Sequence, residues 1–338
     1  MDRLTLGDLG ERRILREIIP EYVSGAGDDC AIEPIETGFL TITTDPVPPP
    51  AAKVIGGDPD LFWMGWLLVT INASDIAASG ARPLSFVAAL DLPKDLPIPD
   101  FRRLLEGIGA SCKKNGLKFV GGNLREAEKI SAVGTAFGIA KSEPLRRTGA
   151  ANGDLLVVIG QGGGFWRDAE KIRRGEALEK MLSPVFSPIS QALVMHKLNE
   201  HKLIACAMDS SDGLAPTLVE LALVNNLGIS VDLERIRKSS PKDTLERVER
   251  LWMGWGDWTV VTAVKTENFT EVEAILSEKG AAYTVIGKFS NALDGVYLYD
   301  GDRSIPIPRL ESERFAYDSW FLGGIDEYIK RIQDFELP

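Results

Sequence analysis

The chain has 338 residues, 44% hydrophobic and 26% charged, a composition that excludes disorder and leaves room for two domains. Forty-nine acidic against 38 basic side chains give a net charge of −11, which argues against nucleic acid as a partner and fits a metal-dependent enzyme or an ordinary soluble protein. The charged start MDRLTLGDLGERR leads us to expect no signal peptide. Cys30, Cys112 and Cys206 lie far apart without CxxC spacing and read as reduced packing residues, so a cytoplasmic protein is expected. His196 and His201, the only histidines, are too few for a zinc site.

In chain order, FLTITTD (39–45) is rich in β-branched residues and predicts a strand, as do LSFVAALDL (84–92), KFVGG (118–122) and SAVGTAFGIA (131–140). The apolar window at 61–79 carries Asn72 and Asp75, so it reads as a buried helix rather than a membrane span. Helices are expected at 60–79, capped by Asp58 or Asp60, and at 99–115, closed by Gly116. The turn-rich LRRTGAANGD (145–154) marks a domain boundary, dividing the chain into 1–147 and 148–338. Beyond it we expect strands at 154–159, 203–208, 228–232, 258–264, 282–287 and 295–299, and helices at 167–181, 188–200, 215–226 and 268–279. This mixture predicts an α+β fold of α/β layers.

Acids gather where elements end. GAGDDCA places Asp28 and Asp29 after a glycine turn, TTD ends a strand on Asp45, NASDIAASGARP carries Asp75, and MDSSDGL carries Asp209 and Asp212. A single aspartate beside a turn commonly serves the turn. Their recurrence suggests one cleft, and hard oxygen ligands select Mg²⁺ over zinc. GQGGG (160–164) lacks the GK[ST] ending of a phosphate loop and reads as a tight turn. GGN (121–123), behind KFV, offers backbone N–H groups at a strand end.

The succession GAGDDCA, TTD, NASDIAASGARP, GGN, RRTGAANGD, MDSSDGL and IGKF, over roughly residues 7–300, resembles the thiamine-monophosphate kinases. These belong to the superfamily of aminoimidazole ribonucleotide synthetase, selenophosphate synthetase and the hydrogenase maturation dehydratase. The resemblance implies a homodimer whose N-terminal halves share a β-barrel and whose C-terminal halves are α/β sandwiches. It implies ATP and Mg²⁺ as cofactors and a small-molecule acceptor, with neither nucleic acid nor membrane as partner. Carried over by position, metal ligands fall on Asp29, Thr43, Thr44, Asp45, Asp75, Asp209 and Asp212, with Asp75 and Asp212 carrying the catalysis. Nucleotide contacts fall on Gly122, Asn123, Arg147 and Ser211.

Departures cluster on the acceptor side, with one on the metal side. Asn123 stands where the family has a metal-binding aspartate, Ala52 about where it has a substrate-contacting histidine, and Gly256 where it has a glutamate. LSPVFSP replaces an HxRP element, and Pro46–Pro50 form a stiff segment. Trp258, and Trp320 or Phe321 in the aromatic tail, are candidates to stack on an acceptor heterocycle. The expected function is an ATP-dependent kinase whose acceptor is not thiamine monophosphate, a nucleoside-like heterocyclic alcohol or phosphate being the first choice. Thiamine-monophosphate kinase proper, synthetase-type or dehydratase-type activation of an oxygen, and nucleotide binding without turnover stay open.

Overall fold

The computed structural model describes residues 5–23, 27–240, 247–310 and 320–338, the side chains of 320–323 excepted. Short helical turns α1 (Leu6–Leu9) and α2 (Glu11–Arg13) precede the strands β1 (Ala31–Ile35) and β2 (Gly38–Pro46). A turn, α3 (Ala51–Val54), leads to the long helix α4 (Leu61–Ala78). The strand β3 (Arg82–Leu92), the helix α5 (Ile98–Asn115) and the strands β4 (Lys118–Glu126) and β5 (Ser131–Ala140) complete the N-terminal half. They form an open mixed sheet in the order β1-β2-β5-β3-β4. Only the β3–β4 pair is parallel, because α5 carries the chain over between them.

In the C-terminal half the elements are β6 (Leu155–Ile159), α6 (Gly164–Arg173), α7 (Ala192–Glu200), β7 (Ile204–Asp209), α8 (Leu214–Asn225), β8 (Gly228–Asp232), α9 (Leu233–Ser239) and α10 (Arg250–Met253). There follow β9 (Val260–Val264), α11 (Phe269–Glu278), β10 (Tyr283–Ser290), β11 (Val296–Asp300), β12 (Arg303–Pro306) and α12 (Trp320–Gln333). The second sheet runs β12-β11-β8-β10-β6-β9-β7. Its central strands, LLVVI in β6 and VVTAV in β9, are almost wholly buried, which is why they read as unbroken apolar runs instead of alternating ones.

α4 joins the halves. Apolar around its whole circumference and largely buried, it packs on α5, β2 and β5 of its own half and on α7 and β7 of the other, as a helix without a polar face must. It is long and apolar enough to cross a membrane, yet it lies inside the fold. Asp60 starts it by accepting from the backbone N–H of Phe62 at 2.9 Å, a side-chain cap.

The main strands and helices stand where the sequence places them, with two helices shortened, the one expected at 188–200 beginning at Ala192. The run expected at 167–181 begins at Gly164 and stops at Arg173, because Gly175 takes a positive φ of 79° and turns the chain. β1 escaped prediction: it is a short, mostly exposed edge strand that contains Pro34, a residue that weakens the strand signal. No closed barrel forms among the described residues; each half contributes one open sheet.

Candidate functional site

A cavity of about 400 Å³ opens between the two halves, and its lining falls into an acidic group and an apolar one. Asp28, Asp45, Asp75, Asp209, Asp212, Ser211 and Arg147 make up the first, the acidic end. Pro46, Pro48, Pro49, Pro50, Trp63, Phe165, Phe186, Trp255 and Trp258 are among the residues of the second, the apolar end.

The acidic end is assembled from three separate parts of the chain. Asp29 precedes β1, Asp75 lies in the last turn of α4, and Asp209 ends β7. One carboxylate oxygen from each lies within 4.8 Å of the others. Every member has a donor. Arg147 Nη2 reaches Asp29 at 2.6 Å, the Thr43 hydroxyl donates to Asp75 at 2.5 Å, and the hydroxyls of Ser74 and Ser211 donate to the two oxygens of Asp209 at 2.8 and 2.9 Å. Asp28 steadies the arginine pair, accepting from Arg147 N and from Arg146 Nη1, each at 2.9 Å.

Electrostatics make this arrangement costly without a cation. Two full charges at that separation repel by roughly 3–4 kcal/mol at an effective dielectric constant of about 20. Burial pushes Asp29 up to about 6 against the pull of Arg147, and Asp209 adds to the rise. Burial, and then the charges of Asp209, Asp45 and Asp29, hold Asp75 well above the usual carboxylate range despite the bond from Thr43. Burial raises Asp209 too, against the Ser74 and Ser211 bonds. Burial also works against the charge of Arg147, but Asp29 outweighs it and the guanidinium stays protonated. Three carboxylates facing one guanidinium fit a hard divalent cation. Arg147 Nε is buried and has no hydrogen-bond partner among the described residues.

Not every residue singled out from the sequence reaches this end. Thr43 points inward, where its hydroxyl serves Asp75, whereas Thr44 is exposed and donates to the Gly134 carbonyl at 2.9 Å. Gly122 and Asn123 lie on β4, exposed, and do not line the cavity of the single chain. Gly122 has a packing reason of its own: a Cβ there would sit 1.8 Å from the Ala88 carbonyl oxygen. Asp45, Asp212, Ser211 and Trp258 all line the cavity. The side chains of Trp320 and Phe321 lie outside the described residues.

The apolar end rests on one pinned turn. Asp257 accepts from the backbone N–H groups of Gly163 and Phe165, at 2.7 and 2.8 Å, at the start of α6. Burial nevertheless pushes its carboxyl up to about 7. On the far side, the Ser210 hydroxyl receives the Thr259 N–H at 3.1 Å and meets Thr259 Oγ1 at 2.8 Å. Between these anchors Trp258 is held at φ 52°, a left-handed conformation that is strained for a bulky side chain. Gly256, at φ 114°, could not carry a larger residue without change, since a Cβ would meet the Phe165 ring at 2.4 Å. A side chain at this position is therefore incompatible with the turn as it stands. Ala52 is buried to 1% exposure, while its neighbour Ala51 lines the cavity.

Sequence reasoning missed Ser74, Asp257 and the cavity-lining Glu11, Arg12, Arg16 and Glu220. Two fully buried polar residues in an apolar helix, Asn72 and Ser74, were the available signal for the first.

A two-sheet α/β architecture with a carboxylate cluster drawn from both halves defines the class: the chain belongs to the AIR synthase-related proteins. Residues 27–140 match the N-terminal domain of that family and residues 151–298 its C-terminal domain. Among its relatives, the thiamine-monophosphate kinase of Pyrococcus abyssi is 30% identical over 312 residues, 89% of this chain and 92% of the relative. A structure from Thermus thermophilus superposes with a TM-score of 0.77 at 28% identity, covering 90% of this chain and all of that one. The structure of AaThiL complexed with AMPPCP and TMP gives 0.74 at 21% identity, covering 90% and 99%.

Proposed function

We propose that this protein is an ATP- and Mg²⁺-dependent small-molecule kinase whose acceptor differs from thiamine monophosphate. The observation that carries the reading is the cavity between the halves: a cluster of three carboxylates drawn from both of them, two of which, Asp75 and Asp209, line it, beside a lining rich in proline and aromatic side chains. The kinase relatives over most of the chain support the reaction class.

Asp29, Asp75 and Asp209 would hold Mg²⁺, with Asp45 and Asp212 beside them. When bound, Mg²⁺ neutralises phosphate charge and orients the phosphate chain. The remaining work is positioning, as phosphoryl transfer needs no covalent enzyme intermediate. Arg147, which lines the cavity, would meet phosphate through its guanidinium while its Nη2 stays on Asp29. Ser211, at the start of the turn before α8, stands beside the same phosphate path. Trp258, with Trp255, Phe165 and the Pro46–Pro50 segment, would enclose a planar acceptor and exclude water from it. An aromatic acceptor suits that wall; a nucleoside-like alcohol or phosphate is the first choice.

The active form we infer is a homodimer. β4 leaves an open sheet edge with Val120 61% and Leu124 62% exposed, and an unprotected edge of this kind calls for a partner. A second copy would bring Gly122 and Asn123 toward a shared barrel and site. We draw the domain boundary at 147/148, between β5 and β6. The three free, buried cysteines suit a cytoplasmic protein.

The direct test is ³¹P NMR of the protein with ATP, Mg²⁺ and a panel of heterocyclic alcohols and phosphate esters. The expected result is a new phosphoester or phosphoanhydride signal that grows with ADP. Acceptor-dependent release of inorganic phosphate without a phosphorylated product would favour the synthetase-type reaction instead.

A further inference from the structure

Ser74 sits in the last turns of α4 with no exposed surface. A hydroxyl buried in a helix ordinarily donates back to the carbonyl four residues earlier. Thr70 does so toward Trp66 at 3.2 Å, and the Asn72 amide does so toward Leu68 at 2.9 Å. Ser74 instead sends its single O–H proton out of the helix to Asp209 Oδ2, 2.8 Å away on β7 of the other half. Its neighbour Asp75 faces the same cluster.

The consequence is geometric. Asp209 Oδ1 takes the Ser211 hydroxyl at 2.9 Å and Oδ2 takes Ser74, so donors from both sides set the plane of this carboxylate. Neutral donors, the Ser211 N–H at 3.4 Å among them, fix its orientation without cancelling its charge, and a lone pair of Oδ2 remains for a cation. Of the two donors, Ser211 belongs to the same turn as Asp209 and moves with it, whereas Ser74 belongs to the helix that carries Asp75. Of this pair, only Ser74 ties the two halves' carboxylates into one constellation.

We propose that Ser74 is a positioning residue of the metal site, its hydroxyl holding Asp209 at the distance from Asp75 and Asp29 that a divalent cation requires. The inference rests on the metal-site reading above and adds to it a residue outside the ligand set. Partners that orient metal ligands typically contribute ten- to hundredfold to affinity.

The experiment titrates Mn²⁺ into the full-length protein, alone and with AMPPCP, following free Mn²⁺ by electron paramagnetic resonance. Ser74→Ala should raise the Mn²⁺ Kd about ten- to hundredfold, while the melting temperature without metal stays within a few degrees of the wild type. A Kd within twofold of the wild type would overturn the proposal, as would a large fall in melting temperature with unchanged affinity, which marks a packing role. Should Ser74→Ala not fold, Ser74→Cys keeps the volume with a weaker donor: a severalfold rise in Kd supports positioning and an unchanged Kd refutes it. Asp209→Asn separates this inference from the reading beneath it. If that variant binds Mn²⁺ as the wild type does, the metal site itself is wrong, and the role of Ser74 falls with it.

Discussion

The two ends of the cavity are built on opposite principles. At the acidic end, each carboxylate is held by a donor from a different element: Arg147 for Asp29, Thr43 for Asp75, Ser74 and Ser211 for Asp209. At the apolar end, packed rings and prolines form the wall, and a single pinned turn sets its shape. A polar constellation tolerates little change, because a missing partner leaves a buried charge uncompensated. An apolar wall can be rebuilt from other large side chains at modest cost. The comparison thus explains how one end can keep a family's motifs while the other departs from them.

The largest effect is expected where the acidic end is broken. Asp75→Asn should lower the rate of ADP formation by at least about a thousandfold, since catalysis here is electrostatic positioning. It should also raise the melting temperature of the metal-free protein, because it removes a charge that burial and Asp209 oppose. Steady-state assays and calorimetry on the same preparation check both. A variant that turns over normally would remove Asp75 from the site.

Asp257 probes whether the apolar end also depends on one carboxyl. Its folded pKa is raised from 3.8 to about 7, so the stability it contributes is fully present below about pH 4 and is lost as pH rises through 7. The loss is on the order of 4 kcal/mol. Urea unfolding between pH 4 and 8 should show the wild type losing about this much more stability than Asp257→Asn, the other raised carboxyls titrating in both. Parallel profiles for the two proteins would contradict the assignment.

Gly256→Glu sharpens the difference between a lost side chain and a changed turn. Because a Cβ at this position collides with Phe165 and φ is left-handed, the substitution should cost about 2–4 kcal/mol. It should bring no gain of activity toward thiamine monophosphate. A stable, more active variant would mean the turn is unchanged in shape.

The smallest expected effect concerns assembly. Val120→Asp with Leu124→Asp places charges on the open edge of β4 and should convert a dimer to a monomer in light scattering, leaving each chain's melting temperature within a few degrees. A wild type that is already monomeric and active contradicts the dimer reading.

Legibility in the sequence followed the same division. β2, β5 and α4 announced themselves through β-branched runs and an unbroken apolar stretch, and the acids ending those elements pointed to one cleft. Resemblance supplied Arg147 and Ser211, which spacing alone would not single out. Thr44 came with Thr43 from the resemblance, and alternation along the strand sends the two side chains to opposite faces. Ser74 stayed hidden because a serine in a helix reads as packing until the partner across the molecule is visible. Trp258 could be seen as an aromatic but not as a strained one, since its φ is set by Asp257, Gly163 and Ser210, which lie far apart in the chain. The edge strand β1 and the helices α9 and α12 went unread, being short, exposed or interrupted.

The claim that the acidic end is kept while the acceptor end is changed is tested most directly by steady-state ADP release with thiamine monophosphate as sole acceptor. A site shaped for other contacts discriminates strongly, so the account predicts a kcat/KM far below about 10⁴ M⁻¹s⁻¹, the lower edge of the ordinary enzyme range. A value at or above that level would contradict it and make this chain a thiamine-monophosphate kinase in substrate as well as in fold.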